Sequence, residues 1–320
     1  MSALGFGYGT AAQVVDSIVS SNEDVTLAVI TDVVGASYRP LGAMMAIFAD
    51  GRRVGSLSSG CVEKDIETHA ARALEEGKMQ RIRYGAGSPF FDIQLPCGGG
   101  LEITLVPRPD REVMARLAGQ LGGREVTLAV VDVDQQQICI GEFGGSEIAG
   151  WQDQRFEVVI EPELNFVLFG KGTEIVAFAA LVASLRFGCI VLSGDQETLD
   201  EARGYGCEVR ALKKPEFPPD IRVDVFTAIC LFFHDHDWEP PILAVALESP
   251  AFYIGCQGSE RAAASRREEL ITIGIGHAQL ARLRGPIGLV KSAKDARTLS
   301  IGVLAEILEE HRELGRTRRQ

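Results

Sequence analysis

Apolar and polar positions along the chain follow two rhythms. Residues 11–21 carry a helical pattern. The stretch VTLAVITDV (25–33) is dense in Val, Ile and Thr with no helical stripe and is predicted as a strand. The loop VGASYRPLG leads to a second strand, AMMAIFA (43–49). Asp50-Gly51 then separates it from a third, RRVGSL, and Asp-Gly between apolar runs is a hairpin signal. A short amphipathic helix follows, with Glu63 and Asp65 in its first turn, Ile66, Ala70, Ala71, Ala73 and Leu74 along one stripe, and a stop at Gly77. RIRYG (81–85) and a Gly/Pro loop lead to the strand LEITLV. A helix at 111–121, strands at 124–133 and 137–141, and a loop around Gly144-Gly145 complete this half.

From residue 165 the rhythm changes. NFVLFG (165–170) reads as a buried strand. A Gly-x-Gly turn, a helix at 173–187, the strand CIVLS (189–193) and a helix at 197–203 come next. CEVRAL (207–212), FTAICLFF (226–233) and FYIG (252–255) are further strands, and helices are expected at 240–248, 259–272 and 297–312. Strands alternating with helices imply a parallel sheet with right-handed crossovers. The expected fold class is therefore α/β. It comprises an N-terminal mixed α/β domain with antiparallel hairpins (1–155) and a C-terminal Rossmann-like parallel-sheet domain (160–320).

Composition narrows the function classes. The chain has 320 residues, 46% of them apolar, which is more than one core usually holds. A net charge of −12, with no basic cluster beyond the short tail Arg316-Thr317-Arg318-Arg319, argues against nucleic-acid binding. No apolar run reaches membrane-spanning length, and the first residues lack a signal-peptide pattern. Seven scattered cysteines with no CxxC pair point to a reducing cytoplasm rather than a disulfide framework.

Four stretches carry candidate chemistry. In GSLSSGCVEKDIE (55–67), Cys61 follows the small-residue loop Ser58-Ser59-Gly60 and directly precedes a helix. Unpaired amides at a helix start lower a thiol pKa and attract anions. A reactive or ligand-binding thiol and a plain helix cap both fit. The turn Leu95-Pro96-Cys97-Gly98-Gly99-Gly100 is glycine-rich enough for backbone to approach a ligand. Gly170-Lys171-Gly172 sits between strand and helix, where a dinucleotide fingerprint belongs. Ile175 stands at the third glycine position, and Asp195 is the available acid. A nucleotide site and a bare scaffold are both open. HDHDW (234–238) follows a strand, so His234, Asp235 and their neighbours could hold a metal or move protons, or form a solvated loop in which Asp237 caps the next helix. Gly258-Ser259 caps a helix, and with Arg261 could clamp a phosphate.

Together these stretches resemble the XdhC/CoxI family, the accessory factors of molybdenum hydroxylases such as xanthine dehydrogenase. The first block rests on GASYRPLGAMM, GRRVGSLSSGCVEKDIE, RYG and LPCGG. The second rests on LFGKG, HDHD, SPAFYIGCQGS, GPIGL and SIGVLAEIL. The resemblance spans roughly residues 11–107 and 165–312. It implies a cytoplasmic chaperone that binds the molybdenum cofactor, as molybdopterin or its dinucleotide form. Such a chaperone protects the cofactor while a cysteine desulfurase helps install its terminal sulfur, then delivers it to an apo molybdenum hydroxylase. By resemblance Cys61 is the functional cysteine, Cys97 a second one, and both are candidate metal ligands. Arg39 and Pro40 match the loop before the second strand. Ser58, Ser59, Gly60 and Glu63, with Gly98 and Gly99, are expected around the anionic part of the cofactor.

The chain departs from the family pattern at Ser59, Met44, Thr173, Ile175 and Ala262. The last three weigh on the Rossmann half, where Gly170, Gly172, Asp195, His234, Asp235, Gly258 and Ser259 would contact a cofactor such as NAD(P). The resemblance implies a maturation factor. The alternatives are an enzyme, either an NAD(P)-dependent oxidoreductase or a sulfur-transfer activity, and a nucleotide-sensing Rossmann protein. Exposed sulfur-bearing loops are compatible with a homodimer.

Overall fold

The computed structural model describes residues 9–318 except 59, 61, 89–97 and 145–148, with side chains through 315. The chain divides into two compact units, Met1–Pro162 and Glu163–Gln320.

The first unit opens with helix α1 (Ala11–Val19), strands β1 (Val25–Val34), β2 (Met44–Phe48) and β3 (Arg53–Gly55), and helix α2 (Glu63–Glu76). Strands β4 (Gln80–Gly85) and β5 (Gly100–Pro107) and helix α3 (Arg111–Gly122) follow. It closes with β6 (Thr127–Asp132), β7 (Gln137–Gly141), β8 (Gly150–Gln152) and β9 (Arg155–Ile160). An antiparallel sheet runs β3-β2-β1-β5-β4, and a second runs β7-β6-β9-β8. The period-2 alternation of β1 serves two cores. Ala28 and Ile30 face α2 through Ile66, Ala70 and Ala73. Leu27 and Val29 join Val14, Val15 and Ile18 of α1, Met114 and Leu117 of α3, and Ala129, Phe156 and Val158 of the second sheet. The Asp50-Gly51 hairpin forms as expected: Gly51 takes φ +87° and Asp50 accepts from the Arg52 amide at 2.9 Å. Gly77 ends α2 in the left-handed conformation.

This unit runs past residue 155. Strand β9 pairs with β6 at six positions, from Thr127↔Ile160 to Asp132↔Arg155, so 155–160 completes the second sheet. Its partner β8 is joined to it by a turn with Asp153 at φ +55°.

The second unit alternates β10 (Asn165–Gly170), α4 (Thr173–Ser184), β11 (Gly188–Ser193), α5 (Gln196–Gly204), β12 (Glu208–Ala211) and β13 (Thr227–Phe232). A 3-10 turn (His236–Trp238) leads to α6 (Glu239–Glu248), β14 (Tyr253–Cys256), α7 (Glu260–Thr272), α8 (His277–Leu280), β15 (Leu283–Arg284) and α9 (Ala296–Arg318). All strands are parallel in the order β12-β11-β10-β13-β14-β15. This is the doubly wound Rossmann order, whose ligand crevice opens at the carboxyl ends of the two central strands, here β10 and β13. Both are buried almost throughout, as a sheet covered on both faces requires. Among the described residues, no helix is long and apolar enough to cross a membrane.

Candidate functional site

The antiparallel order of the first sheet sends three connections to one end. The loop 35–43 leaves β1 there and enters β2, whose first residue Met44 pairs with Val29. Loop 56–62 leaves β3 after Gly55, opposite Met45. The connection 86–99 leaves β4 at Gly85 and returns at Gly100, which pairs with both Gly85 and Val34. Arg39, Ser58, Gly60, Gly98 and Gly99 therefore share one end of one sheet. The expectations for Ser59, Cys61 and Cys97 lie outside the described residues. Their chain neighbours Gly60 and Gly98 take φ of +104° and +69°, a conformation that favours glycine, and among the described residues no atom lies within 4 Å of a Cβ added at either.

Glu63 organises the second of these loops. It is the first residue of α2, and its side chain is buried, folded back under the turn. Oε1 accepts from Ser56 Oγ at 3.0 Å and Ser58 N at 2.9 Å. Oε2 accepts from Ser58 Oγ and from Gly60 N at 2.8 Å. Ser58 Oγ in turn accepts from Val62 N at 3.1 Å. Burial alone would raise the carboxyl pKa, but the hydroxyl and amide of Ser58 and the remaining donors outweigh it and hold it at about 2. The Ser58 and Gly60 donors expected around an anion are thus engaged by the Glu63 carboxylate.

The glycine turn packs against the chain's own backbone. An added Cβ at Gly99 would lie 2.2 Å from the Ala36 carbonyl oxygen, and one at Gly100 would lie 2.5 Å from that of Ala86. Ala86 N donates to Gly99 O at 3.1 Å. These two glycines are required by the chain's own backbone; a Cβ at Gly98 would meet nothing within 4 Å among the described residues.

Among the described residues, Arg39 is the cation left without an ion pair at this end. Arg83 pairs with Asp32 and Glu102, and Arg81 with Glu102. The Arg39 amide donates to Ser37 Oγ at 3.2 Å and its carbonyl accepts from that hydroxyl at 2.7 Å. Its guanidinium has no hydrogen bond or ion pair among the described residues. Gly42 anchors the base of this loop at φ +82°, where a Cβ would meet Val158 Cγ2 at 2.6 Å.

In the second unit Gly170, Asp195 and Asp235 border one crevice at the carboxyl ends of the strands, and the other sequence candidates make contacts of their own. Gly170 (φ +150°) is needed because a Cβ would strike the Phe232 carbonyl at 2.4 Å. The Gly172 amide donates to Thr198 Oγ1 at 2.9 Å, and Ile175 is buried at the third glycine position. Asp195 caps α5: its Oδ2 accepts from Thr198 N at 2.9 Å and Thr198 Oγ1 at 2.6 Å, which holds its carboxyl below the usual range. HDHD disperses. His234 Nε2 meets Glu174 Oε2 at 3.4 Å, and His236 Nδ1 meets buried Glu239 at 3.0 Å. Asp235, rather than Asp237, caps the short turn. Among the described residues, no group of three or more His, Cys, Asp or Glu side chains could hold a metal. Ser259 uses its hydroxyl to cap α7, accepting from Ala262 N at 3.2 Å. Lys171, Lys213 and Trp238, which border the crevice, have no periodic signal in the sequence. Neither does the buried ion pair of Glu239 with Arg266.

Fold and site define a two-unit α/β protein with three loops converging on one sheet end in one unit and a Rossmann sheet in the other. The XdhC and CoxI family model matches residues 18–85, and the XdhC Rossmann domain model matches 166–307. The molybdenum cofactor insertion chaperone PaoD of Escherichia coli is 32% identical over 290 residues, spanning 90% of this chain and 83% of that protein. A Bacillus subtilis protein described as a probable xanthine dehydrogenase subunit is 24% identical, spanning 94% and 97%. A crystal structure from Bacillus halodurans, described as a xanthine dehydrogenase, shares the fold with a TM-score of 0.80 at 19% identity, covering 95% of this chain and 96% of that one. This chain belongs to the XdhC/CoxI family.

Proposed function

We propose that this protein is a maturation chaperone that takes up molybdenum cofactor at the loop end of its first sheet and passes it to a molybdenum hydroxylase such as xanthine dehydrogenase. The observation that carries the reading is the convergence of loops 35–43, 56–62 and 86–99 on one sheet end. Gly60 and Gly98 lie at that end, and in the sequence Cys61 follows Gly60 and Cys97 precedes Gly98. Kinship with PaoD supplies the cargo. The donor set suits it. Thiolates are ligands that a sulfur-coordinated molybdenum accepts, and the free Arg39 guanidinium offers the cofactor's phosphate a bidentate partner. Glu63 holds loop 56–62 in shape rather than touching the cargo. Cys61 is the residue assigned to metal contact or to carrying sulfur, with Cys97 as second ligand. A cysteine desulfurase would supply that sulfur, and a cytoplasmic setting suits free thiols.

The test is anaerobic purification from a molybdate-replete host, with bound molybdenum measured by elemental analysis and pterin by fluorescence after oxidation. Near-stoichiometric amounts are expected in the native protein and loss of both in Cys61→Ala with its fold intact. Retention at the native level in the variant would sink the assignment. The NAD(P)-dependent oxidoreductase is the weaker reading, because the Gly172 amide is already bonded and Ile175 fills the third glycine position.

A further inference from the structure

The loops at the carboxyl ends of β10, β11, β12 and β13 enclose a cavity of about 520 Å³, a volume ordinary for a small-molecule site. Lys171, Asp195, Lys213, Phe233, Asp235 and Trp238 line it. Its flat wall is aromatic. The Trp238 ring crosses Gly194 so closely that a Cβ there would sit 3.2 Å from Cη2, and it stacks on Phe233 at a centroid distance of 5.9 Å and an angle of 28°. Lys171 and Lys213 are exposed and form no ion pair among the described residues, although the chain carries a net charge of −12. Exposed cations without a salt bridge, Lys171 near enough to Asp195 to help hold its carboxyl down, stand beside an aromatic wall and suit an anionic, planar ligand. Asp195 uses only Oδ2 on Thr198, which leaves Oδ1 as an acceptor at the end of the second strand, where such folds bind ribose hydroxyls.

The neighbouring path for a pyrophosphate is obstructed. It would cross the start of α4, where the Gly172 amide is committed to Thr198. Glu174 Oε2 lies 4.0 Å from where a Cβ on Gly172 would stand, and the same oxygen meets His234 at 3.4 Å, joining α4 to the loop after β13. An own-chain carboxylate therefore stands where a dinucleotide's phosphates would lie. We propose that this cavity binds a nucleoside monophosphate, its base on Trp238, its ribose at Asp195 and its phosphate between Lys171 and Lys213. The site is independent of the cysteine loop, and its fate leaves the cofactor reading untouched.

Calorimetric titration of the full chain with AMP, GMP, CMP and NAD+ tests this, with tryptophan fluorescence recorded in parallel. At least one monophosphate should bind more tightly than NAD+ and quench emission. The quench should vanish in Trp238→Leu while Trp151 still emits, and binding should persist in Trp238→Phe. The double variant Lys171→Gln/Lys213→Gln, altered only at exposed side chains, should bind the monophosphate about tenfold or more weakly. Glu174→Gln should narrow the gap between NAD+ and the monophosphate. The proposal is overturned by any of three results: no monophosphate binds, NAD+ binds the native protein more tightly than all of them, or the lysine variant binds unchanged.

Discussion

Each unit buries a carboxylate at the first residue of a helix, and the two are held in opposite ways. Glu63 opens α2 and is held by neutral donors from its own preceding loop: the hydroxyls of Ser56 and Ser58 and the amides of Ser58 and Gly60. Glu239 opens α6 and is held by a distant cation. Arg266 on α7 donates through Nε at 2.7 Å and Nη2 at 3.1 Å, and His236 meets Oε2 at 3.0 Å. Both carboxylates sit at the favourable end of a helix dipole. What differs is the reach of the constraint. Glu63 fixes the shape of one loop beside Cys61. Glu239 ties together α6 and α7, the helices that precede and follow β14.

The largest effect expected from this difference lies at Arg266. Arg266→Met removes the cation and leaves Glu239 charged in a site where both side chains are almost wholly inaccessible. Breaking one side of a buried pair costs about 3–5 kcal/mol, whereas replacing both with apolar residues recovers most of it. Urea unfolding of Arg266→Met, alone and with Glu239→Leu, measures this. A single-variant loss below about 1 kcal/mol would show that the pair is not the tie described.

Glu63 should come next. Its carboxyl is held at about 2 against an ordinary 4.5, so the folded state favours the charged form by about 3 kcal/mol. Because the folded pKa is depressed, this stability is fully present above pH 4.5 and is lost as pH falls from there towards 2. Glu63→Gln should therefore lower stability at neutral pH and flatten its decline between pH 4.5 and 2. Thermal melts across that range check the point. A variant with the native acid profile would place the acid sensitivity elsewhere.

The contrast also marks where sequence reading succeeds. Strand β1 was legible because its alternating residues feed two cores, and the parallel sheet because helices interrupt its apolar strands. The β2–β3 hairpin was legible from Asp-Gly, whereas β8–β9 turns at Asp153, a residue that gives no such signal, so the strand 155–160 escaped notice. β15, two residues long, is too short for any period. At the site, Cys61 and the glycine turn stood out by composition. The roles of Glu63, Gly99 and Gly100 did not, because each is defined by how the backbone folds back on itself. The Glu239–Arg266 pair spans 27 residues, and only the packing of α6 on α7 brings it together.

The smallest effect separates two serines that look alike in sequence, each after a small residue or apolar turn and just before a helix. Ser259 is exposed and makes one cap bond, to Ala262 N, so Ser259→Ala should cost about 1 kcal/mol. Ser58 is buried, donates its hydroxyl to Glu63 and accepts the Val62 amide on the same oxygen. Its removal leaves a buried amide without its acceptor and a carboxylate with one donor fewer, so Ser58→Ala should cost about 2 kcal/mol. The two can also be told apart by pH. Ser58→Ala weakens what holds the Glu63 carboxyl down, so its difference from the native protein should shrink as pH falls from 4.5 towards 2, while the Ser259→Ala difference stays constant. Parallel acid profiles for the two variants would break the distinction between a loop clamped by a buried carboxylate and a helix merely capped at its surface.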